Sequence, residues 1–432
     1  MNLLNQSTLI LVTILFNIFP LPAFPNSNTV EIVRGSSEQD NVTLKVRVVD
    51  DQRIPIRGLN PEDFKVKTIL PDGTEEILRD IELIRPEKAK PDPTYLVILL
   101  DMSGSMKHKD DSGVKKLRGA VDGVQVFLEA IEAQNLPVEI ALVPFGEGCD
   151  NNYRVSQEII KENLESSPYP ETKSYLNNLA KVKVCASTNL YQPLTEAVEF
   201  LGNEERFQAD SSEIVPRLGV ILFTDGFDAD PNRNREEKRF QELKNIIEEY
   251  SSKVTVHAMG YGESLSTVYN RATCDYNLSK ERQTVNNLLE WCRISGQDIR
   301  EFIVDEDRLQ EIAQTTPGGI SRFPRNAQEV IDSLNKFLTT LREYEITYQQ
   351  PNAEKAGSYE TQVIVNSETH GLVNLASNTK TIRFKNFSYQ PLPWWVHLLF
   401  LIATIIIGKV GINQFKEWSE DLKQQAKRNL NS

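Results

Sequence analysis

The chain has 432 residues, of which 40% are hydrophobic and 25% charged, with a formal net charge of −13. That length suits two or three folded domains, and the hydrophobic share excludes a disordered polymer. The acidic balance argues against a nucleic-acid binder, which would present a basic surface.

Residues 1–24 carry no charged side chain and hold the apolar run Leu9–Phe19. They read as a signal peptide with a small-residue cleavage point at Ala23. The absence of Lys and Arg before the run leaves an uncleaved anchor open, and no Cys follows it to take a lipid.

Residues 28–92 read as a β segment. Leu44, Val46 and Val48 alternate with Lys45 and Arg47, and Phe64 and Val66 alternate with Lys65 and Lys67. Pro71-Asp72-Gly73 marks a turn before a further strand over Glu75–Arg85, and Lys88–Pro93 reads as a linker.

Residues 94–343 alternate strands and helices. Apolar strand runs are Tyr95–Leu100, Val138–Val143, Leu218–Phe223 and Val254–Met259. Helical patterns are Val114–Ala133, Leu190–Phe207, Arg235–Tyr250 and Ala327–Arg342. In the first helix Val114, Leu117, Val121, Val124, Leu128 and Ile131 share a face. Before the last, Asn326 and Glu329 have the spacing of a capping box. Such alternation predicts an α/β domain with a doubly wound, mostly parallel sheet.

Period two returns in residues 344–390, at Tyr344, Ile346 and Tyr348, then Val363 and Val365, then Ile382 and Phe384. About four strands before the α/β domain and about three after it are each few for a sandwich, whereas seven short strands match one. The expectation is a single sandwich with the α/β domain inserted in it.

Residues 393–412 read as a transmembrane helix, opened by Trp394 and Trp395, with Lys409 its one formally charged side chain. Residues 409–432 carry five basic and three acidic side chains, which places the 413–432 tail in the cytoplasm and the bulk outside. Ile412, Phe415, Trp418 and Leu422 fall near helical spacing, opposite Lys416, Lys423 and Lys427. They suit a short helix on the inner leaflet or a solvated tail.

The chemistry gathers at strand ends. Tyr95–Met106 runs from a doubly buried strand into Asp101-Met102-Ser103-Gly104-Ser105. A carboxylate and two hydroxyls at that end stand where open α/β sheets place ligands. Their oxygens suit a hard divalent cation. Leu218–Phe223 likewise ends in Thr224-Asp225-Gly226. Parallel strands bring both carboxylates to one edge, where mutual repulsion favours a bound cation. A third loop, Cys185-Ala186-Ser187-Thr188-Asn189-Leu190, adds a hydroxyl before a helix.

Taken in chain order, with Thr188 between Ser105 and Asp225, these three segments resemble the von Willebrand factor A domain and its metal-ion-dependent adhesion site. The resemblance covers about residues 94–343. It implies Asp101, Ser103, Ser105, Thr188 and Asp225 as ligands of one cation, with Mg²⁺ first and Ca²⁺ or Mn²⁺ as alternatives. It also implies a protein partner that offers a carboxylate to the ion, and binding in place of catalysis. Cys185 and Ala186 depart from the glycines that many relatives carry before the Thr. Gly58-Leu59-Asn60-Pro61-Glu62-Asp63-Phe64 resembles the strand-rich region before A domains in bacterial surface proteins.

An enzyme would need a base. Of four histidines, His108, His257, His370 and His397, only His257 lies in an α/β strand, and a Ser103–His257–Asp225 triad lacks a Gly-x-Ser-x-Gly elbow. Asp228-x-Asp230-x-Asn232-x-Asn234 mimics the start of a calcium loop, but Arg233 and Arg239 stand where Gly and Glu are needed. Asn41, Asn277 and Asn386 open glycosylation patterns that matter only in a eukaryotic host. Four cysteines in an oxidising compartment allow three connectivities, of which Cys149–Cys185 and Cys274–Cys292 are expected. The first link would brace the metal edge and the second would staple a polar insertion.

The expectation is a single-pass membrane protein with its bulk in the periplasm or at the cell surface. It binds a protein partner through a divalent cation and is not an enzyme. A scaffold subunit of a membrane complex and a membrane-tethered hydrolase are the alternatives.

Overall fold

The computed structural model describes residues 28–70, 72–148, 153–207, 216–228, 232–263, 268–270, 291–292, 303–350 and 358–384, with parts of 401–426. The expected signal peptide, Cys149, Cys274, Asp230, Asn277, Asn386 and His397 lie outside the described residues.

Period-two alternation builds two antiparallel sheets. The first has the order β1-β2-β12-β5, from β1 (Thr29–Glu38), β2 (Asn41–Val49), β12 (Tyr344–Gln349) and β5 (Glu82–Ile84). The second has the order β14-β13-β3-β4, from β14 (Leu372–Ala376), β13 (Ser358–Ser367), β3 (Phe64–Ile69) and β4 (Glu75–Leu78), with β15 (Lys380–Arg383) also on β13. Strands from the two ends of the chain pair directly, Ile346 with Leu44 and Val363 with Val66. Val42, Leu44, Val46, Phe64, Val66, Ile346, Val363 and Val365 share one core. The alternate residues of each strand face outward, as one buried face requires.

The segment between β5 and β12 forms a third, six-stranded sheet. Its order is β11-β10-β9-β6-β7-β8, from β11 (Ser321–Arg322), β10 (Val254–Gly260), β9 (Arg217–Thr224), β6 (Thr94–Asp101), β7 (Val138–Phe145) and β8 (Leu164–Ser166). It is mixed, because β8 runs antiparallel to β7 while the other pairings are parallel. Leu96, Ile98 and Leu100 of β6 pack with α1 (Lys116–Ala133) and α7 (Ala327–Thr339). Val97 and Leu99 point the other way, into the core with α4 (Tyr191–Asn203), α5 (Arg233–Tyr250) and α6 (Glu306–Gln314). Both faces are therefore apolar, which is why β6 reads as an unbroken hydrophobic run. The short helices α2 (Gln157–Glu162) and α3 (Pro170–Leu179) flank β8.

Arginines join the sheets at the amino-terminal edge of the mixed sheet. Arg217 binds Glu343, and Arg47 reaches Glu343 at 3.1 Å and Glu31 at 3.4 Å. Arg53 donates to the Gly319 carbonyl at 2.6 Å, and Arg57 donates to the Thr339 carbonyl. A cavity of about 620 Å³ lies at this junction, lined in part by Arg47, Arg217 and His257.

Two expectations need correction. Among the described residues the fold is not a mostly parallel, doubly wound α/β protein of the von Willebrand factor A class with a membrane-spanning helix. Among the described residues, eight of twelve strand pairings are antiparallel, nine of fifteen strands belong to the two antiparallel sheets, and the third sheet is mixed. Nor is a transmembrane helix over 393–412 supported, and with it goes the single-pass localisation. Among the described residues no helix is long and apolar enough to cross a membrane, and 393–400 lie outside them. Apolar length, the paired Trp394 and Trp395 and the basic tail suggest a span without fixing a helix, and Lys409 cuts its apolar length. Ile412, Phe415, Trp418 and Leu422 are exposed on helical residues of the tail.

Candidate functional site

Asp101 ends β6, and Asp225 follows the last residue of β9. Leu100 pairs with Phe223 in the register of these neighbours, so the two carboxylates leave the same edge of the sheet one step apart. Both are fully buried. Asp101 Oδ1 accepts from the Ser103 amide at 2.7 Å, and Oδ2 accepts from Thr224 Oγ1 at 2.6 Å. Asp225 Oδ1 accepts from Ser105 Oγ at 2.6 Å and from Ser103 Oγ at 3.3 Å, and the two serine hydroxyls lie 2.9 Å apart. Four of the five predicted ligands thus share one network.

The fifth, Thr188, comes close without joining that network. A β-carbon on Gly226 would lie 3.9 Å from Thr188 Oγ1 and 4.0 Å from Ser105 Oγ, so both hydroxyls border the space that this glycine leaves open. Backbone pairing holds the loop in place. The Gly104 amide donates to the Ala186 carbonyl at 2.9 Å, and Glu147 and Ser187 exchange amide–carbonyl bonds at 3.0 and 2.7 Å. Cys185 is disulfide-bonded in this loop, and so is Cys292. Cys149 and Cys274, their expected partners, lie outside the described residues.

A further shell fixes the rim. Asn189 Nδ2 donates to Glu147 at 2.6 Å, and Arg239 donates to Asn189 Oδ1 at 2.8 Å while reaching Asp228 at 3.3 Å. Asp228, read as the start of a failed calcium loop, accepts from the Leu190 amide at 3.2 Å, just before α4. It therefore anchors the Thr188 loop.

The sequence reading missed Lys116. Its Nζ lies 2.9 Å from Asp225 Oδ2, and both side chains are nearly inaccessible, at 4% and 0% exposure. The signal was present in the charge pattern. Lys115 and Lys116 open a helix whose first turn has no acidic residue, although the helix dipole disfavours cations there. Lys115 stays in solvent, whereas the buried Lys116 needs a carboxylate from elsewhere in the fold, and the charge pattern does not say which.

Burial, followed by the charge of Asp225, raises the Asp101 carboxyl to about 7, against the pull of hydrogen bonds from Thr224 and Ser103. Two buried carboxylates beside one ammonium leave the pocket short of positive charge whenever both ionise. The donors are all oxygens, and a hard divalent cation fits that chemistry. One expectation is nevertheless corrected. Among the described residues no group of three or more His, Cys, Asp or Glu side chains is placed to hold a metal ion. A formed metal-ion-dependent adhesion site is therefore not what the residues present, since two carboxylates converge and an ammonium sits on one of them.

His257 stands elsewhere. It is buried within β10, its Nδ1 accepts from the Ile320 amide at 3.2 Å, and its ring lies 5.0 Å from that of Phe337. The Ser103–His257–Asp225 arrangement is not assembled, because Asp225 instead meets Ser103, Ser105 and Lys116.

No family model and no curated protein match the chain. Solved structures that do match include the pilus adhesin SpaC from Lactobacillus rhamnosus GG, at 14% identity and a TM-score of 0.37 over 82% of this chain and 48% of that one. Its open conformation matches at 14% identity and a TM-score of 0.36, over 83% and 48%. The chain spans about half the length of these structures, and a likeness this distant carries no function across.

Proposed function

We propose that the chain is a binding protein and not an enzyme. Its carboxyl-edge pocket takes a divalent cation, Mg²⁺ first, on oxygens of Asp101, Ser103, Ser105, Thr188 and Asp225. The ion would supply a Lewis-acidic position for a carboxylate of a protein partner. The observation that carries this reading is the buried Asp101–Asp225 pair joined through Ser103 and Ser105, with a single ammonium against two carboxylates. Motif-level resemblance to the von Willebrand factor A family supports the same reading, for the site alone. Ser103, Ser105 and Thr224 fix the carboxylate oxygens before any ligand arrives, which lowers the ordering cost of binding.

A second reading has one observation in its favour. Lys116 already neutralises Asp225 in part, which suits an edge that only holds the fold together in a scaffold subunit. Partner capture by the immobilised chain, in Mg²⁺ and in chelator, separates the two. Binding should appear in Mg²⁺ and vanish both in chelator and in Asp101→Asn. Capture indifferent to both treatments would overturn the cation reading and leave the scaffold.

A further inference from the structure

Lys116 is the first residue of α1, and its amide donates to the His108 carbonyl at 2.9 Å, so the backbone that carries it is fixed. Its Nζ can donate three hydrogen bonds, yet among the described residues Asp225 Oδ2 is its one partner. A lysine in a purpose-built socket would meet carbonyls or hydroxyls on all sides. This one meets a single carboxylate, at the helix end where a positive charge is least favoured. The ammonium is therefore held by one interaction, with the residue that a divalent cation would also require.

The other oxygen of Asp225 is already turned toward Ser103 and Ser105. A cation seated among those hydroxyls and Asp101 would share the Asp225 carboxylate with Lys116, or expel Lys116 from it. Like charges a few ångströms apart in a buried pocket repel strongly, so sharing is the costlier state. We propose that Lys116 is an internal competitor: its ammonium occupies Asp225 in the cation-free protein and must leave Asp225 when a divalent ion binds. This rests on the cation reading of the pocket and adds to it a residue that sets the affinity. It predicts that removal of a positive side chain, not of a ligand, strengthens binding.

The test is calorimetric titration of the full chain with MnCl₂, for wild type, Lys116→Met and Lys116→Arg, with thermal unfolding of each chain run with and without Mn²⁺. Lys116→Met is expected to bind Mn²⁺ about tenfold or more tightly than wild type. It should unfold at a lower temperature than wild type without the ion and recover with it, because Asp225 then regains a counter-charge. Lys116→Arg keeps the charge and should show no gain in affinity. If Lys116→Met fails to fold, Lys116→Gln, which retains a donor of similar length, replaces it with the same expectation. Equal or weaker Mn²⁺ binding by the neutral variants would overturn the competition while leaving the pocket a cation site. Absence of Mn²⁺ binding by every chain would overturn the cation reading itself, and the competitor with it.

Discussion

Asp110 gathers five donors onto its two oxygens. Ser112 gives its amide at 2.9 Å and its hydroxyl at 2.8 Å, and Val114 gives its amide at 2.9 Å. Tyr261 Oη at 2.6 Å and the Ala327 amide at 2.8 Å arrive from other parts of the chain. Desolvation opposes ionisation, but these hydrogen bonds outweigh it and hold the carboxyl below its usual range. The stability it contributes is thus present at neutral pH and lost as pH falls through that lowered value. Asp110→Ala should cost about 2–4 kcal/mol, from several hydrogen bonds worth roughly 1 kcal/mol each, read by urea unfolding. A change below about 0.5 kcal/mol would mean that solvent replaces these bonds without loss. At this scale the sequence was legible for the ligand side chains, since Asp101, Ser103, Ser105 and Asp225 advertise themselves by type and by position after a buried strand. Lys116 and Asp110 were not legible as partners of Asp225 and Tyr261, because each contact spans more than a hundred residues and no local pattern encodes it.

Helix α1 approaches α7 closely because it carries glycines one turn apart. A β-carbon at Gly123 would lie 2.6 Å from Val330 Cγ1, and one at Gly119 would lie 3.1 Å from Ala327 Cβ, as well as 2.4 Å from Tyr261 Oη beyond β10. Gly123→Val should therefore overpack the interface and cost about 1–3 kcal/mol, with part of the loss recovered in the double variant with Val330→Ala. Simple additivity of the two changes would contradict the contact. Strand β10 supplies a second test at this scale. Burial, with Arg47, Arg322 and Arg53 adding to it, depresses His257 to about 3. The unfolded chain then binds the extra proton below about pH 6.5, so His257 costs stability as pH falls from there toward the folded value. Its share of the slope is at most about 1.4 kcal/mol per pH unit. Wild type should lose stability faster than His257→Gln between pH 6.5 and pH 4, and parallel curves would contradict a buried neutral ring. The helices and strands themselves were largely legible. Apolar runs and a 3.6-residue stripe report burial on two faces and on one, which is the physical cause of both elements. The hydropathy of residues 393–412 was a weaker signal, because a run of apolar residues states a composition and not a helix long enough to span.

Across the whole molecule, the junction at the amino-terminal edge of the mixed sheet is an arginine clamp. Glu343, whose side chain is 1% exposed, takes both Arg217 and Arg47 between α7 and β12. Removing one member of a buried ion pair leaves the other uncompensated, so Glu343→Ala should cost about 3–5 kcal/mol. It should also split a single calorimetric unfolding transition into two, as the sandwich and the mixed-sheet domain come apart; one unbroken transition would contradict the clamp. Pairing of β2 with β12 and of β3 with β13 rests on alternation that the sequence displays at both ends of the chain. The clamp and the antiparallel β8 that makes the third sheet mixed were not visible there, because strand direction and partner choice belong to the assembled sheets. The clamp and the carboxylate pocket lie at opposite ends of β6, roughly 23 Å apart for an eight-residue strand. Cation binding at one end and domain attachment at the other can therefore be tested separately. The most direct measurement is a crystal structure of the full chain soaked in Mn²⁺, with anomalous data collected at the manganese edge. The expected result is one strong peak beside Asp101, Ser103, Ser105 and Asp225, absent from Asp101→Asn, with Lys116 withdrawn from Asp225. Density free of any peak at that edge, with Lys116 still bound to Asp225, would contradict the cation pocket outright.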